Sequence, residues 1–184
     1  MNDFGFHSFT EKLALAQSKE GALDRIYHNY FQNVSGVERI QRIDDMSQQR
    51  IGIDTLITLN SGIKIRTQEK WRTIRYRGDI LLEYCSVFRN DECKSPGWVY
   101  TCDADYIFIV YEPSDLVKIY PVVQLKIAWH NNGKNWIKDY FPINARNPTY
   151  ITKSVAVPTP VLEEAISKTM HYNYQRTLSE AVPS

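Results

Sequence analysis

The chain lacks most features that would place it in a membrane, a secretory route or a small metal-knuckle class. No apolar run in its 184 residues reaches the ~18 that a membrane-spanning helix needs. Met1 to Glu11 mixes polar and aromatic side chains without an apolar signal core, so a secretory leader is not expected. Only three cysteines occur, Cys85, Cys93 and Cys102, at irregular spacing. A disulfide framework or a zinc knuckle calls for closely spaced pairs, so the expectation is free thiols in a reducing cytoplasm. His7, His28, His130 and His171 are scattered and form no ligand spacing. Internal repeats and low-complexity tracts are absent.

What is present suits one domain. With 43% hydrophobic and 23% charged residues, the chain can bury a core and stay soluble, which excludes disorder as its main state. The expectation is a single domain over 1–184, with a core at about 9–170 and a frayed tail from 172 to 184. Net charge is +1, but it is unevenly spread. Between Ile63 and Arg77, six cations (Lys64, Arg66, Lys70, Arg72, Arg75, Arg77) meet one anion, Glu69, giving +5 locally and leaving −4 elsewhere. A locally basic surface on a near-neutral protein points to a polyanionic partner held at one place.

Apolar residues at three- and four-residue spacings predict a helix over Phe9 to Phe31. Val34 to Gln49 reads as polar and irregular. Two β-branched runs, Arg50 to Leu59 and Ile63 to Trp71, flank Asn60-Ser61-Gly62 and predict a hairpin. Ile80 to Phe88 reads as a third strand and Cys93 to Gly97 as a loop. Asp105 to Tyr111 suits a strand buried on both faces. A short strand at Val117 to Tyr120 follows a turn at Glu112-Pro113-Ser114-Asp115. Pro121 can open a helix that Asn131-Asn132-Gly133 would stop. Tyr150 to Val157 is a late strand, and Pro160 opens a final helix. The fold class expected is α/β, a mixed central sheet flanked by helices.

The hairpin register follows from its apolar pattern, because a slip of one residue would send every side chain to the other face. A three-residue loop with Gly62 left-handed sets Leu59 opposite Ile63, Ile57 opposite Ile65 and Thr55 opposite Thr67, and makes one side apolar. The other side then gathers Asp54, Gln68 and Lys70 as direct and diagonal neighbours. The bland explanation is a structural Asp54–Lys70 salt bridge. The functional one is a divalent-cation site, with Asp54, the Gln68 amide oxygen and the Glu69 carbonyl as hard oxygen ligands. Lys70 would orient and help deprotonate an attacking water.

At these residues the sequence resembles the PD-(D/E)XK nuclease superfamily, whose sign is an Asp on one hairpin strand and an acid-x-Lys on the next. The matching stretches are Ile51-Gly52-Ile53-Asp54 and Thr67-Gln68-Glu69-Lys70. Gln68 stands where the commonest form has an acid, as in the Gln-x-Lys variant of Mrr-like restriction endonucleases. The resemblance implies a restriction-endonuclease-like fold over roughly Lys19 to Val110. It also implies Mg²⁺- or Mn²⁺-dependent hydrolysis of DNA, as an endonuclease rather than an exonuclease. Catalytic residues would be Asp54, Gln68, Lys70 and an acid from the first helix, Glu20, with Asp24 next in line. Metal ligands would be Asp54, Gln68 and Glu69; the neutral Gln68 implies weak metal affinity, and Glu69 could be recruited by a bulge.

Arg66, Arg72, Arg75 and Arg77 would meet DNA phosphates, with Trp71 and Tyr76 able to stack on bases. A homodimer that cuts both strands, with no membrane involvement, completes the expectation. The competing readings are a non-catalytic nucleic-acid-binding module on a degenerate nuclease fold, and an assembly protein.

Overall fold

Nine strands and five helices follow one another among the described residues of the computed structural model, which are 9–72, 78–111 and 116–180, with side chains described from 19 to 169 of these. They are α1 (Phe9–Phe31), β1 (Val37–Arg42), α2 (Met46–Arg50), β2 (Thr55–Leu59), β3 (Lys64–Arg72), β4 (Asp79–Arg89), β5 (Glu92–Pro96), α3 (Trp98–Thr101), β6 (Tyr106–Tyr111), β7 (Leu116–Pro121), α4 (Val122–Asp139), β8 (Phe141–Arg146), β9 (Ile151–Pro158) and α5 (Thr159–Glu180). The turn expected at Glu112–Asp115 and the side chains of Arg75, Tyr76 and Arg77 lie outside the described residues.

The apolar run Tyr106–Tyr111 becomes β6, with five of its six residues buried. Such a run needs cover on both faces, which is the situation of an interior strand. β6 lies parallel to β3, from Thr67 opposite Tyr106 to Arg72 opposite Tyr111. A parallel neighbour requires a long crossover, and β4, β5 and α3 occupy it. Five strands form a mixed sheet in the order β1-β2-β3-β6-β7, and four form a second in the order β5-β4-β9-β8. The fold is α/β with a mixed central sheet and helices, as expected.

Four local expectations are corrected. Cys93–Gly97 is not a loop, because Glu92–Pro96 pairs with β4 as strand β5. Val34–Gln49 is not irregular, because it supplies β1 and α2; β1 ends its sheet and therefore needs few apolar residues. The first hairpin strand begins at Thr55 rather than Arg50. The preceding residues form α2, started by Asp45, whose carboxylate accepts the Ser47 N–H at 2.7 Å. Helix α4 runs through Asn131-Asn132-Gly133 to Asp139. Asn132 donates to the Ala128 carbonyl at 2.9 Å, and a Cβ on Gly133 would lie 2.8 Å from the Trp129 indole. That glycine makes room for an aromatic rather than ending the helix.

The chain divides into two compact units. Unit 1 is Met1–Gln41 with Leu56–Ile65, and unit 2 is Arg42–Thr55 with Arg66–Ser184. Unit 1 buries Leu23, Tyr27 and Phe31, four residues apart along α1, and Ile57 and Leu59. Its turn has the expected form: the Leu59 N–H donates to Ile63 O at 2.9 Å, and Gly62 is left-handed at φ 83°. Unit 2 has one core, drawn from β4, α3, β6, α4, β9 and α5. Ile80, Leu82, Ile107, Leu125, Val157 and Leu162 there are fully buried, each worth about 1.5–3 kcal/mol over exposure.

The expectation of free thiols is corrected at Cys85 and Cys93, which form a disulfide with Cα atoms 5.9 Å apart. Asn90 and Asp91 both take positive φ, 52° and 57°, making the two-residue turn that folds β5 back on β4. Register shifts between β4 and β5 bring two cysteines eight positions apart together. Only Cys102 is a free thiol. Closing so short a loop should contribute about 2–3 kcal/mol. Dithiothreitol should therefore lower the denaturant midpoint of the wild type and leave a Cys85→Ser, Cys93→Ser double variant unmoved; equal midpoints for the wild type with and without reductant would contradict this.

Candidate functional site

The residues expected to form the site, Asp54, Gln68, Glu69 and Lys70, all belong to unit 2. The α2 helix stops at Ile51, and the chain reverses through Gly52 at φ 73°. Three backbone bonds hold the reversal, Ile51 N–H and Ile53 N–H to Gln48 O and Gly52 N–H to Gln49 O. The Asp54 N–H then joins β3 by donating to Thr67 O at 2.9 Å. Its side chain reaches along the same strand edge, where Oδ2 accepts the Glu69 N–H at 2.7 Å. The carboxylate is thus oriented by backbone.

Gln68 is 4% exposed, and its Oε1 is buried without a hydrogen-bond partner. Such an orphan acceptor costs about 1–3 kcal/mol and calls for an explanation in a native structure. Its amide is fitted against Gly52, where a Cβ would lie 2.4 Å from Gln68 Nε2 and 3.2 Å from Cys102 Sγ. Gly52→Ala should therefore cost about 1–3 kcal/mol through left-handed strain, with a further loss from the clash. Pairing it with Gln68→Ala should cost less than the sum of the single changes in denaturant titrations. Strict additivity would show that the two residues do not press on each other.

Burial pushes the Cys102 thiol up; the Ala104 backbone, Lys126 and Lys70 draw it down, and Asp54 raises it. Cys102 is accordingly a protonated wall rather than a nucleophile, and its neighbourhood contains Asp54 and both lysines. Lys70 is half-buried and lines a cavity of about 160 Å³ shared with Glu83, Trp98 and Ser154. Among the described residues, Lys70 has no ion-pair partner, and the Asp54–Lys70 salt bridge is not formed.

The Glu69 carboxylate is committed elsewhere. Its Oε1 accepts Arg42 Nη1 at 2.8 Å and Thr55 Oγ1 at 2.6 Å, so no bulge turns it toward Asp54. On an extended strand, a residue's N–H and C=O leave by the same edge. The Glu69 carbonyl therefore faces the side on which its N–H meets Asp54. Glu20 is exposed on α1 in unit 1, where Asp24 is half-buried. Among the described residues, no three His, Cys, Asp or Glu gather as a metal cluster.

Two cations expected to meet phosphate are internally neutralised. Arg66 reaches Asp103 at 2.9 Å and Asp105 at 3.0 Å, and Arg72 pairs with Asp79 at 2.5 Å, both largely buried. Asp103 and Asp105 lie far along the chain from Arg66, and Asp79 opens the next strand, β4, so a count of charge within 63–77 overstates the basic surface. Burial pushes the Asp105 carboxyl up, but the Arg66 side chain and N–H together pull it below its ordinary 3.8. The stabilisation from this depressed group is present above pH 3.8 and is lost as pH falls through the lower folded value. Asp105→Asn should remove that part of the acid-unfolding slope; an unchanged slope would show that the pair adds nothing.

No family model and no curated protein matches the chain. Among solved structures, it is similar to a bacterial homing endonuclease at TM-score 0.36 and 17% identity, over 60% of this chain and 66% of that one. At that level the residues themselves must carry any assignment.

Sequence reasoning missed Gly52, Glu83 and Cys102 as parts of this neighbourhood. The Gly before Ile53-Asp54 was the one available signal; Glu83 and Cys102 arrive through tertiary packing.

Proposed function

We propose that this protein is a metal-dependent nuclease that hydrolyses DNA phosphodiester bonds. The observation that carries the reading is the orphaned, buried Gln68 Oε1 on the strand whose next N–H, of Glu69, orients the Asp54 carboxylate, with an uncommitted Lys70 two positions on. The donor set fits a hard cation such as Mg²⁺ or Mn²⁺: one carboxylate, one amide oxygen and the Glu69 carbonyl, with water and phosphate completing it. When bound, that cation would supply Lewis-acid stabilisation of charge on the phosphate.

The remaining work falls to the chain. Asp54 supplies the negative charge that draws a cation in, and Glu69 N–H keeps its carboxylate from rotating away. Gln68 gains a partner for its desolvated oxygen. Lys70 orients a water and favours its deprotonated form, and the cavity beside it has room for that water.

A digestion panel of linear, circular, nicked and branched DNA with Mg²⁺ or Mn²⁺ tests the reading. Cleavage that chelation stops is the expected result. Salt-sensitive DNA binding with no cleavage under either metal would replace it with the binding-module reading.

A further inference from the structure

Beside the proposed catalytic residues, α3 and α4 form a cup that the reading above does not use. Val99, Tyr100, Lys126, Ile127, Trp129 and His130 line a cavity of about 320 Å³, within the size range of small-ligand sites. Tyr100 is 53% exposed, an unusual place for a large aromatic ring. Its ring meets Trp129 edge-on at 5.9 Å between centroids, which braces it and leaves its surface open. Lys126 and His130 are four residues apart on α4 and share one face. Neither makes an ion pair or side-chain hydrogen bond among the described residues.

The cup adjoins the site through the chain itself. α3 ends at Cys102, whose sulfur lies against Gly52, and the next N–H, of Asp103, donates to Ile51 O at 2.7 Å.

We propose that this cup holds one unpaired nucleotide of the DNA strand flanking the bond to be cut. Its base stacks on Tyr100 and its phosphate meets Lys126 and His130. The inference rests on the nuclease reading for its place beside the scissile bond. An exposed, braced ring is a sequence-tolerant stacking platform, and a nearby cation adds the salt-dependent phosphate contact. A base can reach such a ring only when it has left the duplex stack. The protein should therefore prefer DNA with a flap, overhang or branch to blunt duplex.

Fluorescence anisotropy in Ca²⁺ with a flapped and a blunt duplex tests this, followed by cleavage of both in Mg²⁺. The wild type should bind the flapped duplex about tenfold more tightly. Tyr100→Ala should erase that preference and Tyr100→Phe should keep it. Lys126→Ala should weaken the flapped duplex more than the blunt one and reduce the salt slope of the flapped duplex by about one. Preference surviving in Tyr100→Ala, or an unaltered slope in Lys126→Ala, would overturn the cup. A wild type that cuts DNA without preferring the flap would overturn the cup and leave the nuclease reading standing. One that prefers the flap in the Tyr100-dependent manner but cuts nothing would support the cup and sink the nuclease reading.

Discussion

Lys70→Ala is expected to slow metal-dependent cleavage by about 10²–10⁴-fold, the usual contribution of a positioned proton-transfer group. The fold should survive. Lys70 is half-buried, lines a cavity and holds no ion pair among the described residues, so its removal leaves no charge stranded. A change of about 0.5 kcal/mol or less in stability is the corresponding expectation. DNA affinity in Ca²⁺ should fall far less than the cleavage rate, because one partly enclosed ammonium is a small share of phosphate binding. Normal cleavage by Lys70→Ala would remove the residue from the mechanism. Loss of cleavage together with loss of fold would assign it a structural role.

Asp54→Asn should have an effect as large, for a different reason. The amide oxygen can still accept the Glu69 N–H that Asp54 Oδ2 accepts at 2.7 Å, so the strand edge stays satisfied. What disappears is the negative charge. Metal stabilisation of developing phosphate charge is worth several kcal/mol, and each ~1.4 kcal/mol is tenfold in rate. A loss of about 10³-fold or more follows, partly recovered by raising Mn²⁺. By contrast, Glu69→Gln should leave cleavage largely intact, because that carboxylate serves Arg42 and Thr55. A loss in Glu69→Gln as large as in Asp54→Asn would show that the Glu69 carboxylate also serves the site.

The hairpin was legible because its signals are local. Asn60-Ser61-Gly62 sets the turn and the two-residue period sets the faces, so the turn closes as expected, with Leu59 N–H on Ile63 O and Gly62 left-handed. The apolar character of Tyr106–Tyr111 likewise announces an interior strand. Non-local partners were not legible. Arg66 and Arg72 look free in a linear reading, but Asp103, Asp105 and Asp79 reach them only after β3, β4 and β6 have assembled. Cys85 and Cys93 meet because a turn with two positive-φ residues and a shifted register bring them together. Gly133 resembles a helix stop until Trp129 is seen lying against it. The constraint on Gly52 depends equally on a side chain sixteen positions away.

Mn²⁺ binding, read by electron paramagnetic resonance with a short duplex present, tests the central claim most directly. The wild type should hold Mn²⁺ tightly enough to broaden its signal. Asp54→Asn and Gln68→Ala should each release it, and Glu69→Gln should not. Retention of Mn²⁺ in both Asp54→Asn and Gln68→Ala, or no bound Mn²⁺ in the wild type, would contradict the account.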